Sequence, residues 1–307
     1  MKARHFSFLY LFVCVAALLY LAGCGDDSPL TENDGFEIHE WGVLAGCSGD
    51  DSYFLTSRPE SVMIVREPVI YVHADNPKPF TVTVTFNGGY PTDTYPTASV
   101  SGNKATWQNV EFAESLNSTT ARGDSGYVPL EAIIGTLNNV DARILKVNNQ
   151  KARFLFYEGE VPWQNRIAVD LGNDTVAPTV TNNGQYPVYN LVLVTFPAGS
   201  CSTGARVTWY KESLNPGEQF QFSFVHLDTV ITPWYFDLVA SGFSSMEAQA
   251  FVDLWRLPFL NTMDCQPNAN LIYRFSRQEY DDLITLAISP PPEKVVRSLY
   301  VLVHLQE

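Results

Sequence analysis

The 307-residue sequence is short of basic residues. Lys and Arg number 19 against 33 Asp and Glu, giving a formal net charge of −14. A surface this acidic repels phosphate backbones and anionic lipid headgroups. It argues against nucleic acid as a partner and against a basic face as the link to a membrane. Cysteine is also scarce: there are five, with no CxxC and no Cys/His cluster at zinc-site spacing. No GxSxG, GxGxxG, Walker loop or HExxH occurs, so none of the chemistries those motifs serve is supported and no cofactor is called for. Long apolar runs are missing as well. The longest, Phe6 to Leu21, falls short of the roughly 20 residues that span a bilayer.

What that run does have is its surroundings. Lys2 and Arg4 precede it, and Leu21-Ala22-Gly23-Cys24 closes it. A basic start, an apolar middle and small residues at the exit make a secretory signal, and the exit looks like a bacterial lipobox. The expectation is a signal peptide over 1–23, cut before Cys24, whose thiol carries the lipid (palmitate-type acyl chains included). Acyl chains at about 0.8 kcal/mol per buried methylene anchor firmly. Gly25 in place of aspartate after Cys24 points to the outer membrane in a cell that has one. The membrane is thus reached through lipid. Removing 23 of 307 residues leaves 284, and losing Lys2 and Arg4 takes the net charge from −14 to −16.

Residues 24–35 are polar, acidic and without periodicity, which reads as a tether. Strand signals then dominate. In "FTVTVTFN", Phe80, Val82, Val84 and Phe86 alternate with three threonines. "VIYVHA", "ARFLFY", "RIAVDL", "YNLVLVTF" and "ARVTWYK" follow, separated by Gly, Pro, Asn and Asp turns. The expected fold is mainly β: one or two packed β-sandwich units of immunoglobulin-like style, with a small α/β segment at the C-terminal end. Along the chain this divides into a β-rich part over 36–147, a sandwich part over 148–230, and two short helices plus a final strand over 231–307. In the last part Ser245 is the expected cap of a helix ending before Pro258. Ser276 to Glu279 is a capping box, opening a helix that Pro290 to Pro292 would stop. "KVVRSLYVLVHL" closes as a strand.

The candidate chemistry lies around histidines. "EIHEWG" holds Glu37, His39 and Glu40, while "VHAD" and "VHLD" pair His73 with Asp75 and His226 with Asp228. On a strand, positions i and i+2 share a face, so each His-x-Asp can present an imidazole and a carboxylate together. Two such strands side by side would hold a divalent metal, or supply a base and its orienting carboxylate. The competing reading makes His226 a core histidine and the aspartates turn residues. It makes "HEWG" simply a first strand with Trp41 anchored in the core. "GDSG" (Gly123 to Gly126) resembles the surroundings of a trypsin-like nucleophile but lacks the preceding body, and reads as a turn. Cys47, Cys201 and Cys265 can form one disulfide in three ways. Most of the aromatic residues must be core, with the remainder available to a sugar-stacking face.

Six segments together resemble a group of exported bacterial proteins and lipoproteins of uncharacterised activity: "HEWG" (His39 to Gly42), "EPVIY" (Glu67 to Tyr71), "YPTA" (Tyr95 to Ala98), "FLFYEG" (Phe154 to Gly159), "EAQAFVDLW" (Glu247 to Trp255) and "ISPPPEKVVR" (Ile288 to Arg297). The resemblance implies an exported protein and supplies no catalytic residue. The three cysteine loops lie outside its pattern. The first functional expectation is therefore a non-enzymatic, lipid-anchored envelope protein whose β surface binds a protein or glycan. The second is a metal-assisted hydrolase of envelope or extracellular polymers using the His39/Glu40 region with His73 or His226. The third is a structural assembly component.

Overall fold

The computed structural model describes residues 35–47, 53–55, 68–75, 78–116, 130–172, 177–196, 207–223, 232–260 and 269–305. The signal, Cys24 and the rest of the tether to residue 34, the GDSG segment, His226, Asp228, Cys201, Cys265 and the side chain of Cys47 lie outside the described residues. In chain order the strands are β1 (Phe36–Cys47), β2 (Tyr53–Leu55), β3 (Val69–Ala74), β4 (Phe80–Phe86), β5 (Tyr90–Tyr95), β6 (Ser99–Ser101), β7 (Lys104–Ala113), β8 (Ile144–Val147) and β9 (Gln150–Ala152). They continue as β10 (Phe154–Val161), β11 (Ile167–Asp170), β12 (Thr179–Asn182), β13 (Val188–Thr195), β14 (Val207–Leu214), β15 (Gln219–Gln221), β16 (Ala269–Arg274), β17 (Ile284–Ser289) and β18 (Lys294–Leu305). The helices are α1 (Leu130–Asn138), α2 (Thr232–Ala240), α3 (Ser245–Leu260) and α4 (Arg277–Leu283). No helix among the described residues is long and apolar enough to cross a membrane.

The architecture is mainly β, as expected, and residues 35–307 form one unit. A nine-stranded sheet runs β14-β13-β16-β18-β1-β2-β10-β3, with β5 on β10 and a further β1–β3 pairing. A six-stranded sheet (β17-β4-β7-β8-β9, with β6 on β7) and a three-stranded sheet (β11-β12-β15) complete it. The large sheet takes strands from all three consecutive parts of the sequence division, so those parts are interleaved in space. Its centre is β1, parallel to β18 with Glu37 opposite Lys294 and Gly46 opposite Val303. On the other side β3 lies antiparallel, with His39 opposite Tyr71.

Period-two alternation sorts β1 between two cores. Phe36, Ile38 and Leu44 join one, which also holds Phe80, Val82, Val84 and Phe86 of β4 and so seals sheet against sheet. Trp41, Val43 and Ala45 join the other, with Trp234, Phe251, Trp255 and Phe259 from the helices. Fully burying an aromatic or branched side chain contributes about 1.5–3 kcal/mol, so each face is a strong determinant of register. Trp41 is anchored in the core as read from sequence: it meets Phe251 edge to face, with centroids 5.3 Å apart. The β4 pattern is also as read, with its four apolar positions buried and its threonines half-buried.

The C-terminal part departs from the sequence reading in three ways. Its described residues hold three helices and three strands, because "TPWYFDLVA" is helical without a clean polar face and "ITLAIS" is a strand. Helix α3 runs through Pro258 to Leu260. Asn270 of β16 donates to the carbonyls of Pro258 and Phe259, and Phe259 is buried against Trp234 and Trp255; these tertiary contacts support a last turn that proline alone would end. Helix α4 stops at Leu283, before the prolines. Ile284 is already extended (φ −133°, ψ 111°), because pairing with β4, Ile284 opposite Phe86 through Ser289 opposite Thr81, claims the β-branched run.

Candidate functional site

Strand parity places Glu37 and His39 on the helix-facing side of β1 and Glu40 on the opposite side. On β3 the same side carries Tyr71 and His73. Helix α3 then delivers Glu247. Its first turn is a capping box: Glu247 N–H donates to Ser244 Oγ (3.2 Å), and Ser244 N–H donates to Glu247 Oε2 (2.7 Å). The cap is thus Ser244, one residue before the one expected, and its partner carboxylate is fixed in place before any tertiary contact is counted.

His39, His73 and Glu247 offer one ligand atom each, all within 4.8 Å of one another. His39 Nδ1 stands 2.9 Å from Glu247 Oε2 and 3.1 Å from Oε1. His73 Nε2 stands 3.0 Å from Oε1. The two imidazoles are 4.6 Å apart, centroid to centroid, and Phe243 closes over His39 edge-on at 5.6 Å. Burial alone would raise the Glu247 carboxyl, but the hydrogen bonds from His39 and His73 outweigh it and hold it at about 2. It is therefore a carboxylate. His39 has a second neighbour: Glu37 Oε2 is 3.4 Å from Nε2 and is itself paired with Lys294 at 3.0 Å. A carboxylate behind the distal nitrogen of a histidine is the usual outer support of a metal-binding imidazole. The side chains of Glu247 and His39 are 0% and 8% exposed, while that of His73 is 27% exposed. His73 also lines a cleft of about 440 Å³ with Asp75, Glu114, Asp141, Arg143 and Arg153.

Two imidazole nitrogens and a carboxylate oxygen at this spacing are a three-ligand set of the donor types that bind zinc. Of the histidines read from sequence, His39 and His73 are brought together, and Glu247 is the member that sequence reasoning missed. Its signal was Ser244-x-x-Glu247, a capping box. Asp75 does not join. The strand ends at Ala74, so the i+2 parity that would align Asp75 with His73 has lapsed; its backbone carbonyl accepts from Arg143 instead.

Glu40 belongs to a different cluster. It is fully buried on the sheet-facing side, where Arg297 of β18 pairs with it and with Asp281. Tyr157 donates to Glu40 at 2.5 Å and lies 3.3 Å from Tyr280. Arg297 sits 3.9 Å over the Tyr280 ring. Burial, then the Glu40 charge, push both tyrosines far above their ordinary range. Burial opposes the Arg297 charge, but Glu40 outweighs it and holds the guanidinium protonated. Glu40, Arg297, Tyr157 and Tyr280 are buried and hold one another, with Asp281 at the partly exposed rim, so this is a structural knot. Of the His39/Glu40 region read from sequence, the two side chains are separated: adjacent strand residues point to opposite faces.

No family model matches the chain, and no curated protein sequence matches it. Among solved structures, the mu-homology domain of yeast delta-COP-I is similar at a TM-score of 0.30 and 8% identity, and its complex with a Dsl1 WxWxV peptide at 0.29 and 8%. In both cases 89% of this chain and 97% of the other are covered. A likeness at that level carries no argument about function.

Proposed function

We propose that this is an exported protein, held to the cell envelope by lipid on Cys24, in which His39, His73 and Glu247 bind a divalent transition metal of the zinc type. The observation that carries the metal is the convergence of three ligand atoms within 4.8 Å, from two neighbouring strands and a capped helix. The carboxylate is already ionised, as a metal ligand must be. Glu37 behind His39 supplies the outer support. In this reading the protein is first a binding module of the envelope, its metal ordering the seam between sheet and helix, with a protein or glycan as partner.

A second reading, a metal-assisted hydrolase, is favoured by one observation: His73 lines the adjoining cleft, so the open coordination position would be reached from there. A metal at that position polarises a carbonyl or lowers the pKa of bound water.

The test is metal content. The full chain is purified without chelator and analysed by elemental mass spectrometry. One equivalent of a transition metal, lost in His39→Ala and in His73→Ala, is the expected result. No metal in the wild-type protein after equilibration with zinc would overturn it and leave the trio as a hydrogen-bonded structural node.

A further inference from the structure

A second cleft, of about 650 Å³, lies apart from these residues. Three walls form it: the segment after β10, the turn between β12 and β13, and helix α4. Trp163 and Tyr186 supply aromatic surface, both half-buried. Glu279 and Asp282, one helical turn apart, supply carboxyls, and Arg166 and Gln185 flank them.

The chemistry of this lining is selective. Among the described residues, every side chain lining it with hydrogen-bonding groups (Trp, Gln, Arg, Asn, Tyr, Glu, Asp) presents them on a planar group, and none is Lys, Ser or Thr. Planar forks bond two adjacent groups at once, as the guanidinium does with a carboxylate. Vicinal equatorial hydroxyls of a sugar ring offer such pairs. An aromatic face packs well against the apolar C–H face of the same ring. One cation against two carboxyls leaves no strong field for an anion.

The walls are built in advance. Asn182, 1% exposed, holds the turn: its Oδ1 accepts from Gly184 N–H (2.9 Å), and its Nδ2 donates to the Tyr186 and Leu214 carbonyls (2.9 and 3.0 Å). Asn183 N–H donates to the Arg166 carbonyl (2.9 Å), tying two walls together. Asn165 accepts from Ile167 N–H and from Tyr273 Oη (both 3.0 Å). Trp163 packs edge to face on Phe275 at 5.3 Å and approaches Glu279 at 3.4 Å through its N–H. Tyr186 donates to Asp282 at 2.5 Å. Rigid aromatic and polar groups lose little entropy on binding.

We propose that this cleft is a carbohydrate site that takes a neutral oligosaccharide, stacking sugar rings on Trp163 and Tyr186 and pairing their hydroxyls with Glu279, Asp282, Arg166 and Gln185. The two capping boxes sharpen the point. In α3 the glutamate returns to its cap. In α4 the Ser276 cap accepts from Glu279 N–H (3.2 Å), but the Glu279 carboxyl turns to Trp163 in the cleft. Burial, with the Asp282 charge adding to it, pushes that carboxyl up to about 7, against the lowering effect of the Trp163 hydrogen bond. It can therefore donate as well as accept near neutrality, as an uncharged hydroxyl-rich ligand requires.

The test is calorimetric titration of the full chain, in a detergent without a sugar headgroup, with cellotetraose, triacetylchitotriose and a Lys/Arg-rich decapeptide. Binding of at least one sugar with a Kd of about 1 mM or tighter is expected, since one or two stacked rings and a few hydrogen bonds reach that range. Trp163→Ala should weaken it at least about ten-fold and Gln185→Ala and Arg166→Ala about five-fold each, the effect of one hydrogen bond. Gln185 and Arg166 are exposed, so those two variants decide the matter if Trp163→Ala fails to fold. No sugar binding at about 10 mM, ten-fold above the expected Kd, would overturn the proposal. So would sugar binding unchanged in the folded variants, or binding of the peptide alone.

Discussion

His39 and Glu40 are neighbours in the chain and stand on opposite faces of one sheet. His39 meets Glu247, which a helix delivers, at 2.9 Å; Glu40 meets Arg297, which the adjacent parallel strand delivers. A single dipeptide therefore pins both layers of the protein to its central strand. The two contacts differ in kind. The first adjoins His73, whose side chain is 27% exposed, whereas Glu40 and Arg297 are both buried, and they answer to different experiments.

Glu40→Ala removes the buried partner of Arg297 and leaves that charge only the partly exposed Asp281 as counter-ion. The expected loss is about 3–5 kcal/mol of folding stability, read as a shift in the urea midpoint. Glu40→Leu combined with Arg297→Met should be less damaging than Glu40→Ala alone, since no stranded charge remains. Equal damage would mean that the knot's tyrosine hydroxyls, not the ion pair, hold the site.

Glu37→Gln should weaken zinc binding by about 10- to 100-fold, the usual effect of removing an outer carboxylate, with little change in the melting temperature of the metal-free protein. Competition against a chromogenic chelator measures it. Unchanged affinity would show that Glu37 serves only Lys294.

The pH dependence of stability should carry the mark of Glu279. Its carboxyl lies near 7 in the folded protein against 4.5 as an ordinary glutamate. The folded state thus holds the proton more tightly. The stabilisation is full below pH 4.5 and lost as pH rises through 7. It amounts to about 3 kcal/mol at most, since one pKa unit is about 1.4 kcal/mol. The groups around it are Asp282, Arg166, Tyr186 and Trp163. Denaturant midpoints at pH 5 and pH 8 should show Glu279→Gln gaining on the wild type as pH rises. A constant gap would refute the shift.

Gly42→Ala tests the seam between β1 and the start of β3. A Cβ on Gly42 would stand 2.8 Å from Pro68 Cα, a backbone atom that cannot swing away. Overpacking of this kind costs about 1–3 kcal/mol. Gly135→Ala is the control: it lies in α1 with nothing within 4 Å and should gain up to about 1 kcal/mol of helix propensity. Thermal melts of the two variants should move in opposite directions.

Much of this was legible in the sequence where the signal is local. The β4 alternation, the last strand, the Ser276 cap and the burial of Trp41 follow from periodicity and capping chemistry within a few residues. The unread parts depend on partners far along the chain. Nothing near His39 indicates Glu247, 208 residues away, although the Ser-x-x-Glu pattern at 244–247 marks a carboxylate at a helix start. Nothing near Glu40 indicates Arg297, because parallel pairing leaves no turn signal between its strands. "ITLAIS" continues the helical spacing of Tyr280 and Leu283 until β4 claims it. Asp75 failed for a smaller reason: face parity holds only while the strand lasts.

The parallel pairing of β1 with β18 also governs when the protein can fold. A chain made amino end first exposes β1 long before residues 294–305, its native parallel neighbour, exist. Trp41's sheet and the buried Glu40 charge must wait for the last described strand. Contacts of such sequence separation make folding slow, because the loop entropy is lost before the contacts repay it. The chain is therefore expected to stay open through its synthesis and to close the central sheet only afterwards.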